Sequence, residues 1–319
     1  MMANADPRRR FDPQMIQVQA ESQRLNAGRT PPGADDVAAQ RAAYAHERAF
    51  WNAVRPPLAA VEALSIPGPV GPLACRLYRP ALAPSLPALV YFHGGGWVVG
   101  SLDTHDRIMR LLAEKSGAIV LGVDYRLAPE HKFPAGHDDA LAALRQTLSR
   151  GREWGIDTTR LAVGGDSAGA NLALAACLGI GAAERAALRL LLLFYGCFGL
   201  TDSNSIRACS DAAYGLTGAD MERYRGHLIR SPADLDDPRL NNLAGDLAGL
   251  PPAFLGAAEL DCLLDDSRAM AARMAAAGVT HQLTIYPGVL HGFLHYSRML
   301  DTAMRALDES AAALKQAFA

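Results

Sequence analysis

From about residue 59 onward, short runs of apolar, β-branched and aromatic residues alternate with longer stretches whose apolar positions recur at helical spacing. The runs AVEALSI, LACRLYRP, ALVYFH, AIVLGVDY, RLAVGGD, RLLLLFY, AFLGAAE and HQLTIYP predict eight strands. Helices are predicted over Asp106 to Ser116, Ala135 to Arg152, Ala168 to Ile180, Leu264 to Ala277 and Arg298 to Phe318. Several strand runs are almost unbroken Val, Ile and Leu, as in strands covered by helices on both faces. Alternation of this kind builds an α/β fold around a mostly parallel sheet. Only PGPVGP separates the first two strands, so the sheet opens with an antiparallel hairpin and is mixed.

Two regions stand outside this rhythm. Residues 1–56 hold the helical periods PQMIQVQAESQRL and VAAQRAAYAHERAFWNAV, divided by NAGRTPPGAD. Residues 198–248 form a long insertion with one predicted helix around GADMERYRGHLI. An insertion of that length is not left structureless inside a compact domain. The expected organisation is an N-terminal helical cap segment, a catalytic domain over 57–319, and an insertion that contributes to the cap.

The chain has 319 residues, 50% of them apolar, enough for one large core or two modest ones. A formal charge of −2 without long runs of one sign gives no electrostatic reason to expect nucleic acid or an anionic membrane. A small neutral or weakly polar ligand fits better. The N-terminal MMANADPRRRFDPQ lacks the apolar core of a secretory signal. The longest apolar runs, such as LRLLLLFYGCFGL, fall short of the roughly 18 residues of a membrane span, so a soluble, cytoplasmic protein is expected. Five cysteines (Cys75, Cys177, Cys197, Cys209, Cys262) show no CxxC pair, which argues against a zinc cluster and a disulfide scaffold and for core fillers.

The sharpest local signal is LAVGGDSAGANLALAACLGI, where a strand enters Gly165-Asp166-Ser167-Ala168-Gly169 and a helix follows at once. GxSxG in this context is a nucleophile elbow. The turn brings the residues two before and two after the serine nearly into contact, which demands glycine there, and the serine must tolerate positive φ. The helix also aims its first N–H groups toward the serine, a favourable setting for transient negative charge. A serine hydroxyl needs a base, and the base an orienting carboxylate, both on loops at the carboxyl ends of strands. Asp261 has that address, following PPAFLGAAE, whereas Asp265 and Asp266 enter the next helix and suit its dipole. Of nine histidines, three follow Asp261: His281 opens a strand, His295 lies in or near the last helix, and His291 falls in the loop PGVLHGF. The order Ser167, Asp261, His291 is that of an α/β-hydrolase.

HGGGW at His93–Trp97 could be a turn, a phosphate cradle or a row of backbone donors. No Lys-Ser or Lys-Thr follows, as a phosphate loop requires. Together with DYRLAPEHKFPA, GDSAGANLA, ELDCLLDD and HGF, it makes the chain resemble the hormone-sensitive-lipase-like family of α/β-hydrolases, the bacterial family IV esterases, over roughly residues 60–319. The resemblance implies an eight-stranded, mostly parallel sheet with a helical cap and the triad Ser167, Asp261 and His291. It implies an oxyanion hole of backbone N–H groups from Gly94, Gly95, Gly96 and Ala168, with Gly95 foremost. It further implies hydrolysis of short- to medium-chain acyl esters, no cofactor or metal, and a homodimer paired through the last strand if that strand lies at the sheet edge.

Departures from the family pattern are Ala170 after GDSAG, Cys262 after the acid where proline is frequent, and Asp266-Ser267 where an acidic residue and glycine are common. Trp97, Tyr195, Leu290 and Phe293 flank the motifs and are candidates to line the acyl or alcohol pocket; Phe50, Trp51, Tyr214 and Tyr224 could close over a ligand. Asp124, Arg126, Glu130 and His131 are expected to tie loops together, and His93 to brace its own. The same triad serves an amide, a lactone or an acetylated sugar, which the motifs do not separate. A non-catalytic receptor on this fold would be expected to lack a triad member, and all three are present.

Overall fold

A computed structural model describes residues 6–319. The eight strands are β1 Ala60–Gly68, β2 Gly71–Arg79, β3 Leu86–Phe92, β4 Ile119–Val123, β5 Ile156–Asp166, β6 Leu188–Phe194, β7 Ala253–Leu260 and β8 His281–Leu290. They form one sheet in the order β1-β2-β4-β3-β5-β6-β7-β8. β2 runs antiparallel to both β1 and β4, and every later pairing is parallel. The hairpin turns between Gly68 and Gly71. Every residue of β4 is buried, so neither face of the sheet is open there.

The helices are α1 Pro13–Leu25, α2 Val37–Asn52, α3 Asp106–Ser116, α4 Ala135–Arg150, α5 Ala168–Gly179, α6 Ala182–Arg185, α7 Asn204–Ala208, α8 Gly218–Leu228, α9 Leu264–Ala276 and α10 Asp301–Phe318. α3 packs on α10 and α4 on α5. The short α6 and α7 were not expected, being too brief to carry a readable period. α10 begins at Asp301 rather than Arg298, because a 3-10 turn at Phe293–Tyr296 occupies the chain between it and β8. β8 runs on past Pro287 to Leu290, with a register irregularity against β7 between Ala258 and Leu260. All five cysteines are buried and unpaired, and burial pushes the Cys75 and Cys177 thiols up to about 12. No described helix is long and apolar enough to cross a membrane.

Asp12 caps α1, its Oδ1 accepting from Gln14 N at 2.8 Å, with Pro13 in the first turn, where a missing N–H costs nothing. Asp12 N donates to Gly288 O at 2.8 Å, which pins the start of α1 to β8. Gln19 of α1 donates to Ala213 O of the insertion at 2.7 Å, and Phe11 packs on Tyr214. Arg41 of α2 forks onto Glu130 at 2.8 and 2.7 Å. Arg126 likewise grips Asp139, at 2.8 Å to each oxygen. Asp124 and His131 are exposed and make no side-chain hydrogen bond among the described residues, so only half of the expected loop ties form.

Asp266 does something other than complement a helix dipole. It is 0% exposed, and its Oδ1 accepts from the N–H groups of Phe198, Gly199 and Leu200 at 2.7, 3.0 and 3.2 Å, fastening the start of the insertion. Burial pushes its carboxyl up to about 7, against those three N–H groups, which favour the anion. A folded-state pKa raised above the unfolded value gives stability that is full at low pH and lost as pH rises through about 7. The melting temperature of the wild type therefore falls across that range. Asp266→Asn, which keeps an oxygen for the three donors, should lack this step. Melting curves at stepped pH check this, and the same profile in both proteins would contradict it.

Candidate active site

Ser167 leaves β5 and starts α5 with φ 55° and ψ −119°, a conformation that side-chain-bearing residues rarely adopt. The turn admits no alternative: a Cβ at Gly165 would lie 2.5 Å from the Gly169 carbonyl carbon, and one at Gly169 would overlap Phe92 O. Asp261 follows β7 directly and His291 follows β8 directly, so three parallel strands deliver three side chains at their carboxyl ends. His291 Nε2 is 2.8 Å from Ser167 Oγ, and Nδ1 is 2.7 Å from Asp261 Oδ2. Asp261 Oδ1 accepts from Leu263 N at 2.8 Å, which fixes the carboxylate plane. With Nδ1–H donating to Asp261, Nε2 is the free acceptor for the serine proton.

The glycine run divides by role. Gly94 N–H faces Asp166 Oδ1 at 3.1 Å and His105 Nε2 at 3.2 Å, so it is engaged inward and unavailable as an oxyanion donor. Gly95 and Gly96, at φ 125° and 59°, line the cavity above Ser167. The N–H groups of Gly95, Gly96 and Ala168 make no hydrogen bond outside regular structure among the described residues. A Cβ at Gly95 would overlap Val99 O, and one at Gly96 would lie 2.5 Å from the Tyr224 ring.

Beneath this loop lies a buried polar layer that motif reading did not single out. Asp166 Oδ1 also accepts from Tyr91 OH at 2.8 Å, and Oδ2 lies 3.4 Å from His105 Nε2. Burial pushes the Asp166 carboxyl up, but His105 and the Tyr91 hydroxyl outweigh it and hold it below the usual range. His93 braces its loop, Nδ1–H donating to Gly94 O at 2.8 Å with the ring stacked on Tyr125. Burial pushes it down to about 3, which removes it as a proton carrier near neutrality. His295 sits in the 3-10 turn, its Nε2 3.3 Å from Tyr44 OH and its ring against His105. His105, Asp166 and His295 have the spacing of a metal-ligand group, but the contacts just given already engage their ligand atoms.

A cavity of about 390 Å³ opens over Ser167 and His291. Its apolar wall includes Met15 and Val18 of α1, Leu216 and Met221 of the insertion, and Leu290. Of the expected pocket residues, only Leu290 lines it. Tyr195 instead packs edge-on beneath His291, ring centres 4.9 Å apart, and Phe293 lies under Tyr195. Trp97 is buried on another cavity, beside Cys197 and Leu240. Tyr214 and Tyr224 reach the cavity from the insertion, whereas Phe50 and Trp51 pack on each other away from it.

The sequence model of the alpha/beta hydrolase fold family matches residues 89–295. A hyperthermophilic esterase from the archaeon Pyrobaculum calidifontis is 35% identical, over 96% of this chain and 98% of its own, with a TM-score of 0.91. An ester-hydrolase from the metagenome of Lake Arreo is 37% identical over 97% and 99%, with a TM-score of 0.90. A thermostable esterase from Pseudomonas putida is 29% identical over 99% of both chains, with a TM-score of 0.89. With the elbow, the glycine run and the sheet order in place, this chain belongs to the α/β-hydrolase-fold family, in its hormone-sensitive-lipase-like branch.

Proposed function

We propose that the protein is a serine carboxylesterase that hydrolyses short- to medium-chain acyl esters through an acyl-enzyme on Ser167. The observation that carries this reading is the chain of contacts from Asp261 to His291 to Ser167, at 2.7 and 2.8 Å. Neutral His291 takes the Ser167 proton as Oγ attacks the ester carbonyl, and Asp261 stabilises the imidazolium. N–H groups of Gly95, Gly96 and Ala168 receive the oxyanion, and His291 returns the proton to the departing alcohol. Water, deprotonated by the same histidine, then releases the acid. The chemistry needs no cofactor, and a cavity of about 390 Å³ with an apolar wall suits a modest acyl group. The helical segment before β1 and the insertion act as the cap. Five buried free cysteines fit a reducing cytoplasm.

β8 lies at one edge of the sheet, and we place a homodimer on that edge. Light scattering should give twice the chain mass at micromolar concentration; the mass of one chain would contradict it. In a panel of p-nitrophenyl esters, turnover should be highest for short and medium acyl chains, and Ser167→Ala should lose about 10⁴- to 10⁶-fold in kcat. Full activity in that variant would remove Ser167 from the mechanism. Gly95→Ala, with a Cβ driven into Val99 O, should lower kcat by at least about 10²-fold while the far-UV spectrum is kept. An unchanged kcat would remove Gly95 from the oxyanion hole.

A further inference from the structure

Arg48 of α2 lines the catalytic cavity and is only 9% exposed. Its guanidinium is held by two tyrosine rings, with Cζ 4.7 Å from the centre of Tyr44 and 5.4 Å from that of Tyr296. Its polar contacts are long: Nη1 donates to Tyr296 Oη at 3.3 Å and to Glu47 Oε1 at 3.4 Å. Nε is buried without a partner, and Nη2 makes no hydrogen bond among the described residues. Most of the five N–H donors of this guanidinium thus have no protein acceptor.

Its neighbours hold the charge through long or shared contacts. Glu47, which also lines the cavity, pairs with Nη1 only at 3.4 Å, and the same Oε1 accepts from Ser22 Oγ at 3.0 Å. Asp166 is taken up by Tyr91, Gly94 and His105. His295 cannot share the positive charge, because burial and then Arg48 push it well below its ordinary range. Among the described residues, Arg48 is the only lysine or arginine on the cavity wall. A buried, stacked and under-paired guanidinium is costly to keep unless an anion completes it, and its planar fork matches a carboxylate.

We propose that this cavity takes esters that carry a second, ionised carboxylate, which Arg48 receives while Ser167 attacks the ester carbonyl. The inference rests on the esterase reading above and narrows its substrate class. The hydrolysis itself is unchanged: the ester C–O bond breaks, water supplies the new acid oxygen, and the carboxylate on Arg48 takes no part in bond making.

The carboxylate could belong to the acyl or the alcohol half, and two matched pairs separate these. Monomethyl glutarate is compared with dimethyl glutarate, and O-acetyl-lactate with O-acetyl-lactamide. In at least one pair, wild type should favour the carboxylate member by about 10- to 100-fold in kcat/KM, mostly through KM. Arg48→Met should abolish that ratio and Arg48→Lys should restore part of it. If the neutral member is preferred in both pairs, or Arg48→Met leaves both ratios as they were, the proposal is overturned. Should Arg48→Met fail to fold, calorimetry of Ser167→Ala with the two carboxylate esters decides: binding that weakens with added salt supports the proposal, and no binding of either overturns it. Turnover of p-nitrophenyl acetate without any carboxylate preference would sink this inference alone, whereas no turnover of any ester would sink the esterase reading.

Discussion

The close approach of the serine turn to β3 is the constraint on which the site depends. Ser167 holds φ 55° because Gly165 and Gly169 let the turn close against Phe92 O, with no space for a Cβ at either position. The strain of such a residue, about 1–3 kcal/mol, persists only where the surroundings over-determine it. Here β3 and β5 pair in parallel up to Phe92 and Gly165, and the chain leaves β3 straight into the glycine run. One steric fit therefore places Ser167 and the glycine run side by side.

Below that contact, Asp166 converts geometry into electrostatics. Its carboxylate, tied to Tyr91, Gly94 and His105, orients the loop from beneath and leaves the next N–H groups for the cavity. His93, pushed down to about 3 by burial, stays neutral near neutrality and braces the loop without adding charge. Donors fixed in a dry site need no reorganisation when charge develops. Tyr44 joins α2 to this layer through His295, and Arg48 stands one helical turn further on, so α2 and the floor of the cavity share one polar network.

Much of this was readable in the sequence, and the reason is locality. The elbow is a contiguous strand, turn and helix, and Asp261 and His291 each sit at a strand end that apolar patterning marks. What was not readable depends on direction rather than position. Gly94 was expected to face the oxyanion, but φ angles along successive glycines decide which N–H turns inward. Tyr195, Trp97 and Phe293 flank the motifs in sequence yet pack under or away from the triad. Asp266 looked like a helix-dipole acid, and only the packed insertion reveals three N–H groups converging on it. Pro287-Gly288 reads as the end of a strand, whereas β8 continues through it. Arg48 is one polar residue in an amphipathic period, and only tertiary packing makes it a buried cation.

Covalent labelling tests the central claim most directly. An alkyl fluorophosphonate reacts with a serine only where a base and an oxyanion site activate it. Peptide mapping should then find one adduct, on Ser167, with esterase activity lost in proportion to its occupancy. Activity that survives full modification of Ser167, or that is lost while Ser167 stays unmodified, would contradict the account.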